Sequence, residues 1–139
     1  MSDGVRGLLI AHAGLGAGML SAVSRIAGVG EETIATLSND GRGPNDLLEA
    51  IRDRVGSDPV VLFTDMAGGS CALAARKVAA QRPDTAFVAG VNLPLLLEFV
   101  FHRQLPLPEL VSRLVESGRT GIMGTCTEGT ADADHPAPD

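Results

Sequence analysis

Short apolar runs alternate with amphipathic segments along most of this chain. The runs are continuous and rich in Val, Leu and Ile, which is typical of buried parallel strands, and they lie at 5–11, 33–37, 59–65 and 85–90. Between and after them, apolar residues recur with helical spacing, which predicts helices at 16–27, 44–55, 70–81, 94–102 and 108–118.

This alternation predicts an α/β fold. We expect a flavodoxin-like, doubly wound and mainly parallel sheet of four or five strands, with right-handed crossovers and helices on both faces. In such a sheet the carboxyl ends of the strands share one edge. If the first strand neighbours the third, residues that end these two strands flank the point where the strand order reverses, and ligands bind there in this fold class.

Length and composition predict one domain followed by a tail. A chain of 139 residues suits a single hydrophobic core. After Gly124 large apolar residues nearly disappear, and Thr, Ala, Asp and Pro take their place. We therefore expect a domain at 1–123 and a flexible acidic tail at 124–139, which includes His135.

Charge and cysteine content exclude several classes of function. The net charge of -6 and the absence of a basic cluster argue against nucleic acid or an anionic membrane as the main partner. Cys71 and Cys126 have neither a short metal-ligand spacing nor the pattern of a disulfide framework. The amino-terminal segment lacks the features of a signal peptide, so we expect a cytoplasmic protein.

The candidate chemistry lies at the ends of the first and third strands. His12 ends the first strand, and Asp65 ends the third. A carboxylate that bonds one imidazole nitrogen leaves the other nitrogen nucleophilic. Gly68, Gly69 and Ser70 then open a helix, whose amino terminus attracts anions. We therefore predict phosphoryl transfer through a phosphohistidine, with His12 and Asp65 as the catalytic pair and residues 68–70 as the phosphoryl-binding turn.

Each of these residues also has a purely structural interpretation. His12 can be a half-buried residue that caps a strand, and Asp65 can cap the helix that follows it. We expect Asn92 to cap the helix at 94–102, with a contact to the site as the alternative. Cys71 is more readily a small packing residue than a reactive thiol. The helix at 94–102 is apolar around most of its circumference, which favours a subunit interface.

Three stretches resemble a known family. Leu62-Phe-Thr-Asp-Met-Ala-Gly-Gly-Ser70 resembles its Asp-x-x-Gly-Gly-Ser pattern, and Ala89-Gly-Val-Asn-Leu-Pro94 resembles its Ala-Gly-Val-Asn-(Ile/Leu)-Pro signature. Leu110 to Ile122 resembles its last helix. With His12, these stretches are similar to the mannose-family IIA component (EIIA-Man type) of the phosphoenolpyruvate-dependent sugar phosphotransferase system.

The resemblance implies a cytoplasmic homodimer. It would accept a phosphoryl group from phospho-HPr on His12 and pass it to a IIB protein or domain in sugar uptake, reaching the membrane only through the IIC and IID components. It implies neither a metal nor a cofactor. Family members usually have Gly after the histidine, whereas this chain has Ala13, and Met66 and Ala67 also depart from the usual residues.

Three alternatives stay open at this stage. The first is a regulatory phospho-switch of the same fold, which controls a target protein without supplying a sugar permease. The second is the related phosphoryl donor of dihydroxyacetone kinase. The third, a dinucleotide-binding domain, fits poorly, because Met19 occupies the position of the third glycine in the segment that follows the first strand.

Overall fold

A computed structural model describes residues 4–127 and 129–130 of the chain. The four strands of the main sheet are β1 (Arg6–Ala11), β2 (Ile34–Ser38), β3 (Val60–Thr64) and β4 (Thr85–Ala89). The helices are α1 (Leu15–Ala27), α2 (Pro44–Val55), α3 (Ser70–Gln81), α4 (Leu93–Phe101) and α5 (Leu107–Thr120). Two further short strands, β5 (Thr125–Cys126) and β6 (Gly129–Thr130), form an antiparallel hairpin.

The strand order in the sheet is β2-β1-β3-β4, and all neighbours are parallel. The flavodoxin-like prediction is therefore confirmed, with four strands in the main sheet. Because β1 lies beside β3, the order reverses between the strands that precede His12 and Asp65. The register pairs Ile10 with Thr64, so these two strands end at the same level.

The sheet is covered on both faces. One core cluster packs the sheet against α1, α4 and α5, with Phe63 and Phe99 in an edge-to-face contact at 5.1 Å between ring centroids. The other packs it against α2 and α3, where small residues such as Ala74 and Ala75 bring α3 close to the strands. Strands buried on both faces require continuous apolar runs, which is why the sequence shows them.

The predicted helix at 94–102 is α4. Its buried residues are Leu95, Leu96 and Phe99, and the helix packs against α1 and α5 as well as the sheet. Its apolar circumference is thus largely covered within one protomer and does not by itself require a partner. Phe101 is an exception, since it is largely exposed.

Helix and strand bounds differ from the predictions by one or two residues. Helix α1 begins at Leu15, and α5 continues to Thr120 instead of ending at Gly118. Of the predicted tail at 124–139, the described residues include the hairpin of β5 and β6. The prediction for residue 128 and for 131–139, which include His135, lies outside the described residues.

Candidate phosphoryl-transfer site

The fold brings His12 and Asp65 into direct contact at the carboxyl edge of the sheet. The Nδ1 atom of His12 lies 2.8 Å from Oδ2 of Asp65. The backbone N–H of His12 donates to the same oxygen at 3.0 Å, so one carboxylate oxygen holds both ends of the residue. The Asp65 side chain is 7% exposed, whereas that of His12 is 38% exposed.

The protonation state of the pair follows from this geometry. Burial alone raises the pKa of Asp65, but the hydrogen bonds and the charge interaction with His12 outweigh it, so the pKa lies below its ordinary value of 3.8. Asp65 is therefore ionised at neutral pH and can only accept hydrogen bonds. In the neutral form of His12, the hydrogen of this bond therefore lies on Nδ1, and the lone pair of the ring lies on Nε2.

Gly69 faces Nε2, the ring nitrogen that does not contact Asp65. A Cβ at this position would lie 3.9 Å from Nε2 and 3.8 Å from Cε1 of His12, and the backbone has φ +93°, which favours glycine. Helix α3 begins at the next residue, Ser70, and lacks a side-chain cap at its amino terminus. The first intrahelical bond here is donated by Leu73 N–H to the Gly69 carbonyl, so the amides of the first turn remain for an anion.

Of the predicted phosphoryl-binding residues 68–70, Gly69 lies beside the imidazole, and the role of the turn in holding phosphoryl oxygens stays a prediction. Their contributions differ, however. Gly69 has a conformational reason to be glycine, whereas a Cβ on Gly68 would meet open space. Gly68 therefore has no steric requirement for glycine in the structure.

Asn92 has the capping role that the sequence favours. Its Oδ1 accepts a hydrogen bond from Leu95 N–H at 3.1 Å, and its Nδ2 donates to the Gly118 carbonyl at 2.9 Å. The first bond caps α4, and the second joins the start of α4 to α5. The structure thus gives Asn92 the capping role, and the alternative of a supporting contact to the site stays a prediction.

The structure adds two residues to the site, Ser38 and Asn39. Ala13 has φ +51°, an unusual conformation for a residue other than glycine. Asn39 Oδ1 accepts from Ala13 N–H at 3.1 Å, and Ser38 Oγ donates to the Ala13 carbonyl at 2.9 Å. These bonds hold the turn that follows His12. In the sequence, Ser38 and Asn39 are only polar turn residues after the second strand. Their contact with Ala13 results from the pairing of β2 with β1, which local sequence does not reveal.

Cys71 is buried in the core as predicted, but its sulfur also lies 4.0 Å from Nδ1 of His12. Burial and the charge of Asp65 raise the pKa of this thiol above its ordinary value, and a hydrogen bond from Ser70 opposes them. At neutral pH the thiol is therefore protonated.

Three apolar residues in the segments that carry the site are exposed. Leu15 begins α1, Met66 follows Asp65 and Leu73 lies in the first turn of α3, and their exposed fractions are 48%, 52% and 57%. No helix in the described part of the chain has the length and apolar character needed to cross a membrane.

A family model matches most of the chain. The family model of the PTS system fructose IIA component, EIIA-man, matches residues 7–114. A comparison with curated proteins gave no match.

Several solved structures share the fold. The phosphotransferase system component EIIA from Streptococcus agalactiae has a TM-score of 0.77 and 25% identity, over 85% of this chain and 95% of that one. The mannose/sorbose-specific IIA subunit from Enterococcus faecalis has a TM-score of 0.73 and 21% identity, over 98% and 99%. The PTS IIA protein associated with the fucose utilization operon of Streptococcus pneumoniae has a TM-score of 0.71 and 23% identity, over 88% and 94%.

Proposed function

The chain belongs to the EIIA-man family of PTS system IIA components, and on this premise we propose that it is a phosphocarrier phosphorylated on Nε2 of His12. Family membership supports a phosphotransfer role in a sugar phosphotransferase system. The observation that assigns it to an atom is the bond of 2.8 Å between Nδ1 and Asp65, because it leaves the lone pair on Nε2.

The transfer step is an in-line displacement at phosphorus. The Nε2 lone pair forms the new N–P bond while the N–P bond of phospho-HPr breaks, and the donor imidazole leaves with that electron pair. Nδ1 keeps its proton throughout, so the phosphorylated ring becomes an imidazolium. Asp65 stabilises this positive charge from 2.8 Å, and the amino terminus of α3 stabilises the phosphoryl oxygens. Transfer to a IIB acceptor reverses these events.

Two surface features support the proposed partners. The apolar side chains of Leu15, Met66 and Leu73 suit a protein donor and a protein acceptor that must both reach His12. At the end of α5, Ile122 and Met123 are exposed, which supports a homodimer. We infer that the dimer acts in the cytoplasm. Sedimentation that detects only monomer at micromolar concentration would contradict the dimer without affecting the chemistry.

The experiment is phosphorylation by phosphoenolpyruvate, enzyme I and HPr of the wild type and two variants. His12→Ala removes the proposed acceptor. His102→Ala is the matched control, because His102 pairs with Glu98 at 3.0 Å but lies at the end of α4. We expect acid-labile label on the wild type and on His102→Ala, and none on His12→Ala. Label that persists on His12→Ala would refute the assignment.

A chase of the labelled protein separates the transport role from the regulatory one. A phosphocarrier should transfer its label to an added IIB protein about as fast as it accepts the label from phospho-HPr. A phospho-switch retains the label in the presence of IIB and changes its affinity for a target instead.

A further inference from the structure

A third potential ligand atom lies beside the proposed phosphorylation site. The sulfur of Cys71 is 4.0 Å from Nδ1 of His12, which is itself 2.8 Å from Oδ2 of Asp65. Donor atoms of all three residues lie within 4.8 Å of one another. The residues are far apart in sequence, since 53 positions separate His12 from Asp65 and 59 separate it from Cys71. The fold alone creates this cluster.

We propose that His12, Asp65 and Cys71 form a binding site for a borderline-soft divalent cation of the Zn²⁺ type, and that the bound cation blocks phosphorylation. A thiolate, an imidazole and a carboxylate are the three ligand types that Zn²⁺ takes in proteins. The first half of this proposal is independent of the proposed function. The second half rests on it.

The observed distances are close to those of a tetrahedral site. Zn–S and Zn–N bonds of about 2.3 and 2.0 Å place sulfur and nitrogen ligands roughly 3.5 Å apart, and nitrogen and oxygen ligands roughly 3.3 Å apart. The observed separations of 4.0 and 2.8 Å lie on either side of these values. The sulfur and the carboxylate oxygen lie within 4.8 Å of each other, whereas a tetrahedral site places them roughly 3.5 Å apart, so side-chain shifts of about 1 Å are required.

Cation binding requires a free lone pair on Nδ1 of His12 and a thiolate at Cys71. The proton that Nδ1 shares with Asp65 moves to Nε2, so that the imidazole stays neutral, and the thiol proton of Cys71 leaves to solvent. The cation then neutralises the carboxylate and the thiolate. Proton release that accompanies titration with the metal is thus part of the expected result.

The bound cation opposes phosphorylation at the same ring. It occupies Nδ1, so the ring proton lies on Nε2, and Nε2 has no free lone pair to attack phosphorus. It also engages the carboxylate that would stabilise the imidazolium. Phosphorylated and metal-bound forms therefore exclude each other.

The second histidine–carboxylate pair provides an internal comparison. His102 lies 3.0 Å from Glu98, but there the carboxylate also accepts a hydrogen bond from Arg113 at 3.1 Å. A guanidinium in place of a thiol makes that cluster unsuitable for a cation. The exposed Cys126 provides the other comparison, because it is the second free cysteine of the chain.

The first experiment is a titration of the full chain with Co²⁺, in which a thiolate–Co²⁺ charge-transfer band in the near ultraviolet reports sulfur ligation. Cys126→Ser should keep the band, and Cys71→Ala should lose it. Loss of even an outer-sphere partner weakens metal binding about 10- to 100-fold, so we expect loss of this ligand to raise Kd by about 100-fold or more. Cys71→Ser serves if the alanine variant does not fold. A missing band in the wild type, or an equal band in Cys71→Ala, overturns the site.

The second experiment measures phosphorylation of His12 at increasing Zn²⁺, with the donor phospho-HPr prepared separately and added to metal-treated protein. We expect inhibition of the wild type and of Cys126→Ser, and about 100-fold lower sensitivity of Cys71→Ala. Metal binding without inhibition overturns the second half of the proposal alone. A chain that gives the charge-transfer band but is never phosphorylated overturns the proposed function and leaves the metal site intact.

Discussion

The replacement of Ala13 by Gly should stabilise the protein, although glycine usually destabilises. Ala13 has φ +51°, and its N–H and carbonyl are both held by hydrogen bonds to Asn39 and Ser38. The left-handed conformation costs an L-residue about 1–2 kcal/mol, and a glycine is free of that cost. Glycine also gives the unfolded chain more freedom, which costs about 0.4–1 kcal/mol. The difference predicts a net gain of roughly 0.5–1 kcal/mol.

Ala67→Gly is the matched control. Ala67 is also exposed and also follows a strand-ending residue of the site, but its φ is not positive. It should therefore lose about 0.4–1 kcal/mol, so that the two substitutions have opposite signs.

Urea unfolding followed by far-ultraviolet circular dichroism suits this comparison, because the chain has neither Trp nor Tyr for fluorescence. With a typical slope of about 2 kcal/mol per molar urea, Ala13→Gly should raise the midpoint by about 0.3–0.5 M, and the control should lower it by a similar amount. A midpoint that falls equally in both variants would refute the conformational reasoning. The rate of phosphoryl transfer should stay within about twofold of the wild type, because the bonds to Ser38 and Asn39 involve only backbone atoms of residue 13.

Four further predictions concern the site and the two cysteines. Asp65→Asn should lose a charge-assisted hydrogen bond worth about 1.5–3 kcal/mol, which corresponds to about a 10- to 100-fold slower phosphorylation, whereas Glu98→Gln should leave the rate unchanged. The pKa of Asp65 is lowered in the folded state, so its ionised carboxylate stabilises the fold above the ordinary pKa of 3.8. This contribution is lost as the pH falls through the folded pKa. The stabilities of the wild type and of Asp65→Asn should therefore converge at low pH in acid unfolding curves. Gly69→Ala should slow phosphorylation and destabilise the fold by about 1–2 kcal/mol in a urea melt, since φ is +93° and the added methyl group contacts the imidazole. Of the two thiols, Cys126 should react rapidly with a disulfide reagent and Cys71 only slowly, because Cys71 is buried and its pKa is raised; equal rates would contradict its placement.

Much of the fold was predictable because its elements are defined by local patterns. Strands buried on both faces are continuous apolar runs, and the five helices have clear apolar stripes between turn residues. The pairing of β1 with β3, on which the site depends, was confirmed, but only a fold-class argument could suggest it. The first residue of α1 and both ends of α5 were less accurate, because the terminal turns of a helix depend on local capping contacts.

The sequence predicted the candidate site residues that directly follow a strand. It did not predict the residues that reach the site from a neighbouring strand or helix. His12 and Asp65 stand at strand ends, so the sequence alone brings them to one edge. Ser38 and Asn39 act on Ala13 across β1 and β2, and the proximity of Cys71 to the imidazole results from the packing of α3. Contacts between side chains on different strands or helices depend on tertiary packing, which local sequence patterns do not show.

One carboxylate oxygen of Asp65 contacts both the backbone N–H and the ring of His12. This double contact has a consequence for the rate of the proposed phosphoryl transfer. A side chain fixed at two points cannot swing toward its partner, so the accepting nitrogen is stationary, and donor and acceptor must each travel to it. In the proposed phosphocarrier, the transfer time would then include no swing of the His12 side chain. If encounter with the donor limits the transfer, its second-order rate constant should fall in proportion to the viscosity of added glycerol.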